Sequence, residues 1–153
     1  MKHKTEGRSR NVRSAPRSSR KKPEKKELTL WDQASRWYDS LVGSQGTDFQ
    51  KDIIMPGVLR LLDVAKKDRV LDLACGQGVF SRYLSQKGVN VEGLDSSAEL
   101  LKYARTRSGS AIRYHVGDAA DVKNFKEDTF DGIACLMAIQ NIEKMDLLFK
   151  SAC

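Results

Sequence analysis

From Leu28 onward the apolar residues follow two rhythms. Trp31, Ala34, Trp37, Tyr38 and Leu41 recur at helical spacing and run into the loop Gly43-Ser44-Gln45-Gly46, which predicts a helix with Trp31, Trp37 and Tyr38 packing it onto the domain. A second helical stretch should start near Asp48, carrying Phe49, Ile53, Val58, Leu59 and Leu62, with Pro56 dividing or kinking it.

Beyond Lys67 the rhythm changes to short apolar runs alternating with helical patterns, as expected for repeated β-α units and a mainly parallel sheet. Four strands are expected, at Arg69–Cys75, Val89–Leu94, Ile112–Val116 and Phe130–Met137. The helix after the first strand would bury Val79, Phe80, Tyr83 and Leu84. The helix after the second has Ala98, Leu101, Ala104 and Arg105 in register, and Ser96 with Glu99 reads as a capping box at its start. A last helix is expected over Asp146–Ala152.

Residues 1–27 break both rhythms. Val12 and Ala15 are almost the only aliphatic side chains there, too few to offset ordering entropy, so this segment should be a disordered basic tail. Residues 28–66 would form an N-terminal helical cap and 67–153 an α/β core. The tail also changes the meaning of the charge. The chain carries +7, yet eleven of its 27 Lys and Arg and only three of its 20 Asp and Glu lie in the first 30 residues, so the remainder sits at −1. Nucleic-acid binding, if present, is expected only through the tail.

With 40% apolar and 31% charged residues the 153-residue chain reads as one globular domain. No apolar run approaches the roughly 20 residues of a membrane span, and no secretory signal is recognisable, so no membrane partner and a cytoplasmic location are expected. Cys75, Cys135 and Cys153 lack CxxC spacing and His3 and His115 stand alone, which suggests neither a metal site nor a disulfide framework.

The candidate chemistry lies in Val70-Leu71-Asp72-Leu73-Ala74-Cys75-Gly76-Gln77-Gly78, a short strand entering a small-residue turn ahead of a helix. Gly76 and Gly78 remove side chains where a backbone must come close to a ligand, and the following helix offers unpaired amides. Asp72 inside the strand is costly unless it hydrogen-bonds something specific. Asp95 ends the second strand 19 residues after Gly76, where a carboxylate can accept from two neighbouring ribose hydroxyls; a helix N-terminal acid is the simpler alternative.

This pattern resembles motif I of class I S-adenosylmethionine-dependent methyltransferases. The resemblance covers roughly Trp31 to Ala152 and implies a Rossmann-like fold with S-adenosyl-L-methionine as cofactor. It implies that Asp72 fixes the turn and, through water, the methionine amino group, and that Ala74, Cys75, Gly76 and Gly78 form the cofactor turn. Ala74 stands where many relatives have glycine. Asp95 would meet the ribose, Ser96 would also belong to the cofactor site, Asp118 would meet the exocyclic amine of adenine and Ala119 the ring, and Leu136 would line the site from the fourth strand. Tyr38 would add an aromatic face toward the sulfonium. No catalytic residue can be named. The family's sheet is seven-stranded, ordered 3-2-1-4-5-7-6; this sequence would hold 3-2-1-4, a core that stops early. The fourth strand would then be an exposed edge open to self-association.

The exit of that strand carries Gln140-Asn141, suited either to orienting a substrate or to starting a helix. Amino-group methyltransferases of the nucleobase and glutamine type resemble one another in a Pro-Pro-Tyr sequence here, and no proline follows Pro56, so an unidentified small-molecule acceptor is expected instead. Two other readings remain open: a nicotinamide-dependent dehydrogenase, although Gly76-Gln77-Gly78-Val79-Phe80-Ser81 lacks the third glycine of that fingerprint, and a non-catalytic cofactor-binding module with an RNA-binding tail.

Overall fold

The computed structural model describes residues 28–122 and 125–152; the tail lies outside them. The strands are β1 (Arg69–Leu73), β2 (Asn90–Asp95), β3 (Arg113–Val116) and β4 (Gly132–Cys135), each within the run expected for it or displaced by one residue. They form one sheet ordered β3-β2-β1-β4 with every pairing parallel. Val70 lies beside both Val91 and Gly132, and Asp72 beside both Gly93 and Ala134.

Alternation along the strands builds two apolar layers. Val70, Val91, Tyr114 and Ala134 face α2 (Met55–Leu62), α3 (Val79–Gln86) and α4 (Ala98–Ser108), which contribute Met55, Phe80, Leu84, Leu101 and Ala104. Leu71, Leu73 and Leu94 face the other way, onto Ala119 and Leu148 of α5 (Met145–Ala152). Each fully buried leucine of these layers contributes about 1.5–3 kcal/mol.

The leading helix α1 spans Leu30–Val42 and is seated differently from its sequence pattern. Trp37 and Leu41 are largely exposed, and the face turned inward carries Ser35, Tyr38 and Val42 with Asp32 and Asp39. Trp37 therefore does not pack this helix down; it is one residue, about 100° of helix, away from Tyr38. Polar anchors replace the expected apolar stripe. Asp32 accepts from Ser97 Oγ (2.8 Å) and from the Glu99 amide (3.0 Å) at the start of α4, and Asp39 pairs with Arg107 near its end, so α1 and α4 run side by side in the same direction.

Pro56 acts as expected of a proline inside a helical pattern. A π-helical turn, Gln50–Ile54, precedes α2, and the Met55 amide reaches back to the Gln50 carbonyl, a widening that accommodates a ring with no N–H to give. Phe49, just before that turn, and Ile53 on it are exposed, whereas Val58, Leu59 and Leu62 pack on the core. The helix start after β2 is also shifted. Ser97, not Ser96, caps α4, its hydroxyl accepting from the Leu100 amide at 3.1 Å, and the Glu99 side chain pairs with Lys102 instead of closing a capping box. The reciprocal box forms instead at α1, between Thr29 and Asp32.

Candidate functional site

The C-terminal ends of the strands open on one cavity of about 570 Å³. It lies at the point where chain order reverses between β1 and β4, the place where ligands settle in open parallel sheets. The end of β1 supplies Ala74 and Gly76, β2 supplies Asp95 and Ser96, the segment after β3 supplies Asp118 and Ala119, and the exit of β4 supplies Leu136 and Met137. Helix α1 covers it with Trp31 and Tyr38, whose rings meet edge to face at 5.6 Å.

Eight of the eleven positions singled out in the sequence line this cavity: Tyr38, Ala74, Gly76, Asp95, Ser96, Asp118, Ala119 and Leu136. Asp72 and Cys75 line a smaller space of about 40 Å³, which shares Tyr38, Ala74 and Leu136 with the large one. Gly78 lines neither. A Cβ there would come within 2.4 Å of the Tyr114 hydroxyl, so the space beside Gly78 is taken by core packing. Gly76, by contrast, has only Tyr38 Cε1 at 3.7 Å from such a Cβ.

The turn itself is strained where the sequence has alanine. Ala74 adopts φ +54°, in the left-handed region that glycine enters freely and alanine enters at a cost of about 1 kcal/mol. The conformation expected of the usual glycine is thus kept, and its cost is carried by the rest of the turn. Part of that support is the Cys75 amide, which donates to the Leu94 carbonyl at 3.0 Å.

Asp72 is fully buried and accepts from Ser81 Oγ at 2.5 Å. Because the N-cap Gly78 has no side chain, Asp72 serves the start of α3 in its place. Burial pushes its carboxyl up to about 7 against the pull of the Ser81 hydrogen bonds, with the negative charge of Asp95 adding to the rise. Asp95 is also raised by burial, although both its oxygens are engaged: Oδ2 accepts from the Gly76 amide (2.7 Å) and Oδ1 from the Ser97 amide (2.8 Å). Each oxygen keeps a further lone pair for a ligand donor. Asp118 is exposed at the rim, with Oδ1 accepting from the Ala120 amide at 2.9 Å.

At the far end of the cavity β4 leads into a short 3-10 turn, Ile139–Asn141. The Gln140 side chain donates to the Met137 carbonyl at 2.9 Å, while Asn141, Glu143 and Lys144 stand on the wall. Asp131 ties the edge strand β4 to β1: its Oδ2 accepts from the Arg69 amide, and its own amide donates to the Arg69 carbonyl, each at 2.8 Å. Three positions escaped the sequence reading. Asp32 was signalled only by Thr29 three residues before it. Gln77 is almost fully buried and accepts from Arg107 Nη1, leaving its own amide nitrogen without a partner. Arg107 looked like one more surface cation. Among the described residues no cluster of His, Cys, Asp or Glu could hold a metal ion, and no helix is long and apolar enough to cross a membrane.

Comparison with known proteins agrees with this geometry. A ubiquinone biosynthesis O-methyltransferase of Xanthomonas oryzae is 28% identical over 112 residues, 71% of this chain and 46% of that protein. A dTDP-3-amino-3,6-dideoxy-alpha-D-glucopyranose N,N-dimethyltransferase of Streptomyces fradiae is 31% identical over 66% of this chain and 38% of its own length. Among solved structures, the PH0226 protein of Pyrococcus horikoshii superposes with a TM-score of 0.65 at 28% identity, covering 78% of this chain and 58% of that one. The phosphoethanolamine N-methyltransferase 2 of Haemonchus contortus, solved with S-adenosyl-L-methionine, gives 0.62 at 28% identity, covering 77% and 29%. The chain spans about half the length of the first of these relatives. Residues 70–152, more than half of the chain, match the family model described as a methyltransferase domain. With its parallel 3-2-1-4 sheet and a cavity at the strand ends, the chain belongs to the methyltransferase domain family.

Proposed function

We propose that this chain binds S-adenosyl-L-methionine and belongs to an enzyme that transfers its methyl group to a small-molecule acceptor. The observation that carries this reading is the convergence of four strand ends on one cavity beneath an aromatic cover. The lining fits the cofactor's chemistry. Asp95 and Asp118 offer acceptors for a sugar diol and an amine, Ala119 and Leu100 offer flat apolar walls, and Gly76 allows close backbone approach. Asp95, Asp118 and Glu143 outnumber the single cation Lys144, a balance suited to a positively charged ligand.

When bound, the cofactor supplies a methyl group already activated on a positive sulfur. The protein's part is then to position and to exclude water, effects that can reach about 7–11 kcal/mol. Tyr38 and Trp31 close the cavity from above, and the Tyr38 ring presents a face attractive to a cation. Asp72, in the adjoining small space, would hold the cofactor's amino group through a bridging water, for which there is room. On the β4-exit side of the cavity, Met137, Asn141, Glu143 and Lys144 are the residues that would meet and orient the acceptor. We assign no general base.

Titration calorimetry of the full chain with S-adenosylhomocysteine and with NAD tests this reading. Saturable binding of the first and none of the second is expected; the reverse would replace it with a dehydrogenase. Transfer of labelled methyl to a panel of phenols, catechols and amino sugars then tests catalysis, and binding without transfer to any acceptor would favour a non-catalytic module. A cytoplasmic location, nucleic-acid contact through residues 1–27 and pairing of two copies along β4 belong to the same proposal.

A further inference from the structure

Asp95 does not hold its place alone. Its Oδ1 accepts from the Ser97 amide; the Ser97 hydroxyl donates to Asp32 Oδ1; and Asp32 also takes the Glu99 amide, the next donor at the start of α4. Ser97 is fully buried, so its hydroxyl has no competing water. The other oxygen of Asp32 is occupied by the Thr29 amide and hydroxyl, which fixes the carboxylate from the α1 side. Two carboxylates, one from α1 and one from β2, are thus joined through a single serine.

We propose that Asp32 is a positioning residue: through Ser97 it fixes the orientation in which Asp95 presents its carboxylate to the cavity, and couples that orientation to the seating of α1. That Asp95 meets a ribose there rests on the function proposed above. The coupling itself does not. Ordinary sequence logic assigns Asp32 to the cap of its own helix, and the Thr29–Asp32 box does that as well. The link to Ser97 and Glu99, more than 60 residues away, goes beyond what a cap requires.

The groups around Asp95 make the coupling measurable. It is faced by Asp32 and Tyr38 from α1, by Asp72 from β1 and by Cys75 from the turn; Asp118 shares the cavity rim. Of these, Asp32 is the charged neighbour that adds to the rise of the Asp95 carboxyl above its ordinary value. Asp32 itself stays ionised: burial works to raise it, but hydrogen bonds from Glu99, Thr29 and Ser97 bring it down to about 2.

The test follows the Asp95 carboxyl carbon by NMR as a function of pH in the full chain, alongside S-adenosylhomocysteine affinity. Asp32→Asn should lower the Asp95 midpoint by roughly one unit, since a like charge is lost. It should also weaken binding at pH 7 by about tenfold, the equivalent of one lost charge-assisted hydrogen bond. Thr29→Ala, which weakens the α1 cap but leaves the Ser97 link, should not move the midpoint. Ser97→Ala, which spares that cap and keeps the Asp32 charge but removes the hydroxyl link, should weaken S-adenosylhomocysteine binding as Asp32→Asn does, and keeps the test open if the latter folds poorly. An Asp95 midpoint unmoved by Asp32→Asn, or moved equally by Thr29→Ala, overturns the proposal. So does an affinity left unchanged by both Asp32→Asn and Ser97→Ala when the wild type binds. Should the wild type bind no S-adenosylhomocysteine while the midpoint still moves, the cofactor reading fails and the coupling stands.

Discussion

Asp39 and Arg107 form a two-pronged ion pair between α1 and α4, Nη1 to Oδ1 at 2.6 Å and Nη2 to Oδ2 at 2.8 Å. The same guanidinium donates to Gln77 of the turn, so one side chain connects the cover helix, α4 and the turn beneath. Arg107→Ala should cost about 2 kcal/mol, because the paired groups are mostly shielded from water and Gln77 would lose its acceptor's partner as well. Arg107→Lys should recover less than half, since a point charge cannot fill both prongs. Urea unfolding checks both, and a loss below ~0.5 kcal/mol for the alanine variant would reduce the pair to surface decoration.

The two glycines of the turn should separate folding from binding. Gly78→Ala forces a Cβ into Tyr114 and Ala104 at φ +76° and should cost about 3 kcal/mol or more in stability. Gly76→Ala at φ +55° meets no close atom and should cost about 1 kcal/mol, while crowding the cavity and weakening S-adenosylhomocysteine binding. Thermal melts and calorimetry on the two variants would show the contrast; equal melting losses would contradict it.

Asp72 and Asp32 impose opposite pH dependence. The Asp72 carboxyl sits at about 7 in the fold against an ordinary 3.8, so its contribution is complete below pH 3.8 and is lost as pH rises through 7. Asp32, at about 2, contributes fully above 3.8 and loses this as pH falls toward 2. Asp72→Asn can still accept from Ser81 and removes the charge, so its stability relative to wild type should improve from pH 4 to about pH 7 and level off above it. Melting midpoints across that range suffice, and a flat difference would place the Asp72 proton elsewhere.

Strand β4 pairs only with β1 among the described residues, and Leu147 and Phe149 of the following helix are exposed. An open edge beside apolar side chains favours pairing of two copies. Sedimentation velocity should show concentration-dependent association, reduced by Phe149→Glu. A monomer unchanged over a hundredfold concentration range would count against that pairing.

Much of this molecule was legible in the order of its residues. Strands β1 to β4 and their 3-2-1-4 order follow from apolar runs punctuated by turns and from the resemblance of the Asp72–Gly78 segment, because a parallel sheet buried on both faces needs continuous apolar strands. Eight cavity positions could be named because the resemblance assigned them to the cofactor, and seven of them lie at or just beyond strand ends, which converge in such a sheet; Tyr38 comes from α1. The seating of α1 could not. Its apolar positions predicted an inward Trp37, yet the helix turns Asp32 and Asp39 inward, since Ser97, Glu99 and Arg107 wait on α4 for charges that hydropathy counts as surface. Ser97 rather than Ser96 became the cap for a similar reason: one residue's rotation decides which hydroxyl meets the Leu100 amide, and composition is the same either way. Gly78 reads in the sequence as a ligand contact, yet the space beside it is filled by Tyr114, 36 residues on. Local pattern determined the elements and the place of the cavity, whereas pairings between distant polar groups, which depend on distance and angle in three dimensions, were decided only when the chain had folded.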